Sequence, residues 1–166
     1  MAEVRNGLTE LYPRLWRFSL TLTGDRPSAD DLAQATVTRA LENAEKFQAG
    51  TKLDRWLFTL ARRIWLNEKR SEQVRKAGGL VAVEEVDIPS PDAGTETNII
   101  AREVFSQVMK LPEAQRIVVL LVYVEGYRYR EAAEMMDIPI GTVMSRLAAA
   151  RKTIQASESS QKAGTP

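Results

Sequence analysis

The stretch Tyr129 to Lys152, Tyr-Arg-Glu-Ala-Ala-Glu-Met-Met-Asp-Ile-Pro-Ile-Gly-Thr-Val-Met-Ser-Arg-Leu-Ala-Ala-Ala-Arg-Lys, leaves little freedom in how it can fold. Ala132, Ala133, Met135 and Met136 recur at spacings that give one apolar face at 3.6 residues per turn, which predicts a short helix. A second helix starts after Pro139, whose fixed φ suits a helix start and whose missing N–H costs nothing there. Asp137, between them, is a residue type that tolerates the left-handed conformation a sharp helix-to-helix turn often needs. Ala133 is small enough for the helices to cross closely, and Val143, ten residues later, can plug the crossing. That is the spacing of a helix-turn-helix.

An ordinary helical hairpin inside an all-α core would satisfy the same apolar pattern. Charge argues for more. From Pro139 to Lys152 there are three basic residues, Arg146, Arg151 and Lys152, and no acidic one, with Thr142 and Ser145 near the helix start. A recognition helix points the residues near its N-terminus at base edges, and hydroxyls and arginines there bond phosphates or bases.

Composition removes several classes of function. The 166 residues include no cysteine and no histidine, which excludes disulfides, zinc sites built on thiolate or imidazole, and Cys/His or Ser/His catalysis. No metal, no cofactor and no catalytic residue is expected, and paired carboxylates such as Asp30–Asp31 and Glu84–Glu85 are explained by a helix start and an acidic segment. No apolar run reaches the roughly 18 residues that span a bilayer, and the N-terminus lacks a basic-then-apolar profile, so a soluble, cytoplasmic chain without membrane insertion is expected.

The formal net charge of +1 conceals segregation along the chain. Residues 1–51 hold six basic and seven acidic side chains, residues 52–76 hold eight and three, and residues 84–96 hold five acidic and no basic ones. Pro89, Pro91 and Gly94 fall in that acidic segment, and Gly78-Gly79 precede it. This composition predicts two small helical domains, 1–76 and 98–156, joined by a flexible acidic linker at 77–97, with a disordered tail at 157–166. The apolar patch Leu80 to Val83 offers the linker a small contact on a partner.

Within the first domain, Leu8, Leu11, Leu15, Phe18 and Leu22 predict an amphipathic helix ending near Gly24. Ser28 is the expected N-cap of a second helix running to about Ala44, with Asp30 and Asp31 in its first turn. Leu32, Ala35 or Thr36, Val37, Ala40 and Leu41 form its inward stripe, leaving Asp31, Gln34, Thr38, Arg39 and Glu42 outward. A third helix, from about Leu53 to Val74, carries Arg55, Arg62, Arg63, Lys69 and Arg70 opposite an apolar stripe that includes Leu53, Leu60 and Ile64. Trp56, Phe58 and Trp65 are interleaved with these cations. Cations that follow a backbone and aromatic faces that stack on exposed bases suit single-stranded or melted nucleic acid, although aromatics that are simply core would give the same pattern. In the second domain, Ile100, Val104, Val108 and Leu111 predict a fourth helix, and Ile117, Val118, Leu120, Leu121 and Val124 a fifth that Gly126 stops.

Two helical units of this kind, one basic and aromatic, the other a helix-turn-helix, resemble the extracytoplasmic-function sigma factors, the compact group of the sigma-70 family. The resemblance runs from about Leu8 to Ile154. Its most specific part is Leu111-Pro112 followed by Arg116, then Glu125-Gly126-Tyr127-Arg128-Tyr129-Arg130-Glu131-Ala132-Ala133, then Gly141-Thr142-Val143-Met144-Ser145-Arg146-Leu147. The N-terminal unit is similar in Asp30-Asp31-Leu32-Ala33-Gln34 and in Trp56-Leu57 followed by Leu60-Ala61-Arg62-Arg63.

That resemblance implies an initiation subunit with two DNA contacts and no catalysis of its own. Asp31, Gln34, Thr38 and Arg39 would grip a coiled coil of the core RNA polymerase. The loop from Asn43 to Lys52, with Lys46, Phe47 and neighbouring Trp56, would accept a flipped base of the minus-ten element, and Arg62, Arg63, Lys69 and Arg70 would hold the non-template strand. Thr142, Met144, Ser145, Arg146, Arg151 and Lys152 would face the minus-thirty-five element. An inhibitory anti-sigma factor is the further implied partner. Met144 stands where many relatives have lysine, Ala149 where many have arginine, and Arg63 and Asn67 where asparagine and aspartate are common. The first two lower the number of expected phosphate contacts, at about one unit of salt slope each.

Two other readings compete. A sigma mimic that occupies an anti-sigma factor without transcribing needs the partner surfaces but not Arg62, Arg63, Lys69, Arg70, Arg146 and Arg151, all of which are present. A dimeric repressor would require a self-complementary interface and a palindromic site.

Overall fold

The computed structural model describes residues 2–77 and 96–163, with side chains described for 2–77 and 102–160. The expected linker at 77–97 lies, but for its ends, outside the described residues, as does the Leu80 to Val83 patch. Among the described residues every regular element is helical, an all-α architecture. The chain divides into two compact units, Met1–Ile88 and Pro89–Pro166. No helix among the described residues is long and apolar enough to cross a membrane.

The first unit contains α1 (Ala2–Thr23), α2 (Arg26–Glu42), a 3-10 turn (Ala44–Lys46) and α3 (Leu53–Lys76). On α1 the predicted stripe is inside, with Leu8, Leu15, Phe18 and Leu22 buried and Leu11 half-buried. Phe18 stacks on Phe58 of α3 with ring centroids 4.6 Å apart and planes 17° from parallel. Each ring is 1% exposed, and burying such a side chain contributes about 1.5–3 kcal/mol. Phe58 is therefore core and not a base-stacking aromatic. The Arg14 guanidinium closes the edge of this stack, 2.8 Å from the Asp54 carboxylate and 5.7 Å from the Phe58 centroid.

The cap of α2 is Asp25 and not Ser28. The Asp25 carboxylate accepts from the Ser28 N–H at 2.9 Å. Pro27 lies inside the first turn, where its fixed φ belongs, so the helix starts ahead of it and Asp30 and Asp31 fall beyond that turn. The helix ends at Glu42, short of Ala44, where Asn43 returns its Nδ2 to the Arg39 carbonyl at 2.9 Å. Its inward residues are mostly small: Ala29, Leu32, Ala33, Thr36 and Ala40. Thr36 is buried without an orphaned hydroxyl because that hydroxyl donates to the Leu32 carbonyl at 2.7 Å. Leu41, expected inside, is 42% exposed, since it lies 100° past Ala40 and off this narrow stripe.

The second unit contains α4 (Glu96–Met109), α5 (Glu113–Val119), a π turn (Leu120–Val124), α6 (Tyr129–Met136) and α7 (Ile140–Ala163). α7 packs on α5 and α6 around Ile117, Val118, Leu121, Met136, Val143 and Leu147. Among the described side chains of α4, Val108 and Met109 are buried, while that of Ile100 lies outside the described residues. Val104, expected in the stripe, is 58% exposed. Val124 is also outside, at 55% exposure, because the π turn delays the inward phase by one residue. The Glu125 N–H donates to the Leu120 carbonyl at 2.9 Å, five residues back, and the Tyr127 N–H to the Leu121 carbonyl at 2.9 Å, with Gly126 at φ 74° between them.

Around the helix-turn-helix the sequence pattern holds. Ala132, Ala133, Met135 and Met136 are all buried, and Val143 is 0% exposed in the crossing. Asp137 adopts φ 53° and ψ 50°, the left-handed turn residue, and the Ile138 N–H donates to the Ala133 carbonyl at 3.0 Å. The α6 start is fixed by Glu131, whose carboxylate accepts from the Arg128 N–H at 2.9 Å. Within the expected disordered tail at 157–166, α7 continues to Ala163, and residues 164–166 lie outside the described residues; the Ser157 hydroxyl donates to the Ile154 carbonyl at 2.7 Å and lies 3.4 Å from Gln107 Oε1 of α4.

Candidate nucleic-acid interface

In the first unit the candidate residues fall on one loop and one helix. The 3-10 turn after α2 gathers Asn43, Lys46 and Phe47. The Lys46 ammonium donates to Asn43 Oδ1 at 2.7 Å, while Asn43 Nδ2 is already on the Arg39 carbonyl. Phe47 meets Trp56 of α3 at 5.4 Å between centroids, tilted by 52°, and both rings are half-buried. An amide, an ammonium and two partly open aromatic faces thus lie together, the chemistry that grips an unstacked base.

Along α3, seven-residue spacing is nearly two full turns, so Trp56, Arg63 and Arg70 share one stripe and Arg55, Arg62 and Lys69 the next. Arg63 and Arg70 are exposed, whereas Arg55, Arg62 and Lys69 are half-buried. The Lys69 ammonium sits 5.0 Å from the Trp65 ring centroid. A backbone following this helix meets cations in two parallel rows beside aromatic edges.

The outward face of α2 is as predicted: Asp31, Gln34, Thr38 and Arg39 are all exposed. Apolar spacing alone gives no hint of the neighbours that Asp31 acquires. Burial and the nearby carboxylates of Glu72 and Asp31 push Glu68 of α3 above the usual carboxylate range. Asp31, Glu68 and Glu72 therefore form a patch of negative potential, and the like-charged i, i+4 pair Glu68–Glu72 was the available sign.

In the second unit Thr142, Met144, Ser145 and Arg146 occupy the first two turns of α7. Met144 is 50% exposed, and the Ser145 hydroxyl donates to the Thr142 carbonyl at 3.1 Å, leaving its lone pairs as acceptors. Val143, Leu147 and Ala150 hold the opposite side in the core, each at most 1% exposed, so the polar set cannot rotate inward. Arg151 and Lys152 are exposed roughly 9 Å farther along the axis, at 1.5 Å per residue.

Arg151 has a partner that the sequence pattern does not name. Its Nε donates to the Tyr123 hydroxyl at 3.1 Å, and Nη2 donates to the same oxygen. This hydrogen bond, with a smaller contribution from Tyr129, raises the guanidinium pKa above its ordinary value. Tyr123 lies within the apolar run of residues 117–124, where periodicity gives a polar-tipped aromatic no role; an aromatic hydroxyl just ahead of Glu125-Gly126 was the only available sign. The arrangement is acceptor-poor and donor-rich, suited to anionic backbones, and among the described residues no cluster of three or more acidic side chains could hold a metal.

Comparison with known proteins places these surfaces in context. The family model described as Sigma-70 region 2 matches residues 8–75, and that described as Sigma-70, region 4 matches residues 101–154. The chain is similar to the ECF RNA polymerase sigma factor EcfG of Rhodopseudomonas palustris strain TIE-1, at 34% identity over 155 residues, covering 92% of this chain and 83% of that protein. It is also similar to the ECF RNA polymerase sigma factor SigL of Mycobacterium tuberculosis, at 32% identity over 136 residues, 80% of this chain and 76% of that one. Among solved structures, the sigma factor RpoE in complex with the anti-sigma factor NepR from Bartonella quintana has a TM-score of 0.74 and 25% identity, covering 94% of this chain and 96% of that chain.

Proposed function

The chain belongs to the extracytoplasmic-function sigma factors of the sigma-70 family, which direct core RNA polymerase to promoters and initiate transcription, and from that premise we propose how its surfaces divide the work. The first unit binds core polymerase through Asp31, Gln34, Thr38 and Arg39 of α2. It captures the melted minus-ten element with Asn43, Lys46, Phe47 and Trp56, and it holds the single strand with Arg62, Arg63, Lys69 and Arg70. The second unit reads the duplex minus-thirty-five element through Thr142, Met144, Ser145 and Arg146, with Arg151 and Lys152 on phosphates.

The observation that carries this reading is the open aromatic pair Phe47–Trp56 joined to two rows of cations on α3. A unit that only imitated a partner-binding surface would have no use for it. Bond formation belongs to the polymerase; this chain supplies binding alone. Melting follows from capture, since unstacking a base costs a few kcal/mol and must be repaid by stacking and pocket contacts. Because polymerase holds both units, each contact raises the effective concentration of the other, and neither has to bind tightly alone. Such a protein works in the cytoplasm, where the polymerase is.

An anti-sigma factor is the proposed inhibitory partner. This is supported by the complex in which the similar Bartonella protein was solved. Exposed Ile140, 42% accessible beside an open groove with Arg130, Glu134 and Ile138, suits an amphipathic helix. The test of function is reconstitution: the purified chain with core polymerase initiates from a specific promoter. Failure to retain core polymerase in a pull-down would end the proposal.

A further inference from the structure

We propose that Tyr123 is a positioning residue for promoter binding: its hydroxyl fixes the Arg151 guanidinium in the orientation that receives a DNA phosphate. The proposal rests on the functional reading above and adds a residue to its second unit.

Arginine has five N–H donors in a planar fork. The Tyr123 oxygen accepts from Nε and from Nη2, which occupies the side edge of the fork. The end edge, with one Nη1 hydrogen and the second Nη2 hydrogen, is not taken by Tyr123, and Tyr129 contributes only a weaker interaction with the group; with the side edge occupied, this is the edge on which a phosphate can be held through two parallel bonds. The guanidinium carbon also lies 5.9 Å from the Tyr123 ring centroid, beside the ring and not over its face. The tyrosine thus restrains the side chain without covering it.

Had α5 continued as an α-helix, Val124 would share the inward stripe with Leu120 and Leu121. The π turn instead leaves Val124 outside, next to Tyr123, which faces outward in either helical phase, is 52% exposed and meets Arg151 of α7 through its hydroxyl. π turns are uncommon and recur at functional positions. An exposed arginine otherwise samples many rotamers, and restraining it in the free protein removes part of the ordering cost of binding. This matters here because Met144, seven residues before Arg151 and on the same stripe of α7, supplies no charge.

The test uses full-length chain assembled with core polymerase and a promoter duplex, comparing wild type, Tyr123→Phe, Arg151→Ala and the double variant across a salt titration. Phenylalanine keeps the ring and the packing, and circular dichroism confirms that each variant is folded. Tyr123→Phe is expected to weaken promoter binding roughly two- to tenfold, equally on promoters of different minus-thirty-five sequence. Arg151→Ala should lower the salt slope by about one unit, and the double variant should match Arg151→Ala alone. Unchanged or tighter binding by Tyr123→Phe, no effect of Arg151→Ala, or additive losses in the double variant would each overturn the proposal. If the wild-type holoenzyme fails to bind the promoter, the functional reading falls and this proposal with it; wild-type binding with an additive cycle removes this proposal only.

Discussion

α3 and α7 are each 24 residues long and each carries a candidate DNA surface, yet they are built in opposite ways. α3 buries Leu57, Phe58 and Ala61 against an aromatic core and covers its outer side with two rows of cations. α7 buries Val143, Leu147 and Ala150 and offers four residues in its first two turns, of which only Arg146 is charged. The difference matches the two forms of DNA proposed for these surfaces. A melted strand is flexible and is held by many interchangeable charges and stacking faces, whereas a duplex groove is read by a few side chains in fixed places. Losses of the α3 cations should therefore be shallow and general, and losses in the first two turns of α7 steep and specific.

The largest expected effects are on folding, and they separate the two cores. Phe58→Ala removes one ring of the Phe18 stack and should destabilise the first unit by about 3–5 kcal/mol; Leu147→Ala should cost the second about 2–5 kcal/mol. Trp16, Trp56 and Trp65, the three tryptophans, all lie in the first unit, so their fluorescence should follow only the Phe58→Ala loss during denaturant unfolding. A tryptophan transition displaced equally by Leu147→Ala would mean one shared core.

Next come the reading residues. Arg146→Ala should weaken holoenzyme binding by about 1–3 kcal/mol and relax preference at one promoter position, measured by competition among promoter variants. Arg70→Ala on α3 should instead lower the salt slope by about one unit and weaken all sequences alike. Met144→Lys should raise that slope by the same amount. A sequence-specific loss from Arg70→Ala would break the comparison.

The smallest effect concerns Glu68, whose carboxyl is raised by burial and by Glu72 and Asp31. A raised folded value means that the folded state binds more protons, so this group favours folding below the ordinary carboxylate range and loses that contribution as pH rises through the raised value. Glu68→Gln should give a small increase in thermal midpoint at neutral pH relative to wild type, and none in mild acid. The residue is largely exposed, so solvent screening keeps the gain small.

Much of this architecture is legible in the sequence because periodicity reports burial. The stripe Leu8, Leu15, Phe18 and Leu22, the left-handed Asp137 and the plug Val143 all follow from spacing and residue type. The differences arise where spacing is silent. A π turn changes the helical phase without any residue that announces it, which is why Val124 lies outside. Phe58 falls between cations in sequence, but α1 supplies Phe18 to cover it, a tertiary contact that local pattern does not contain. Val104 is apolar at the right interval, yet the described part of α4 meets the core only at its end. Of the candidate site, the grouping of Asn43, Lys46, Phe47 and Trp56 was readable, whereas the Arg151–Tyr123 pair, 28 residues apart, was not.

The central claim is that each unit reads its own promoter element while polymerase holds both. Holoenzymes carrying Trp56→Ala or Arg146→Ala can be assayed for open-complex formation on three templates: an intact promoter, one with a scrambled minus-thirty-five element, and one with a scrambled minus-ten element. The account predicts a crossed pattern, in which the Arg146→Ala defect disappears on the first scrambled template and the Trp56→Ala defect on the second. Defects of equal size on all three templates would contradict it.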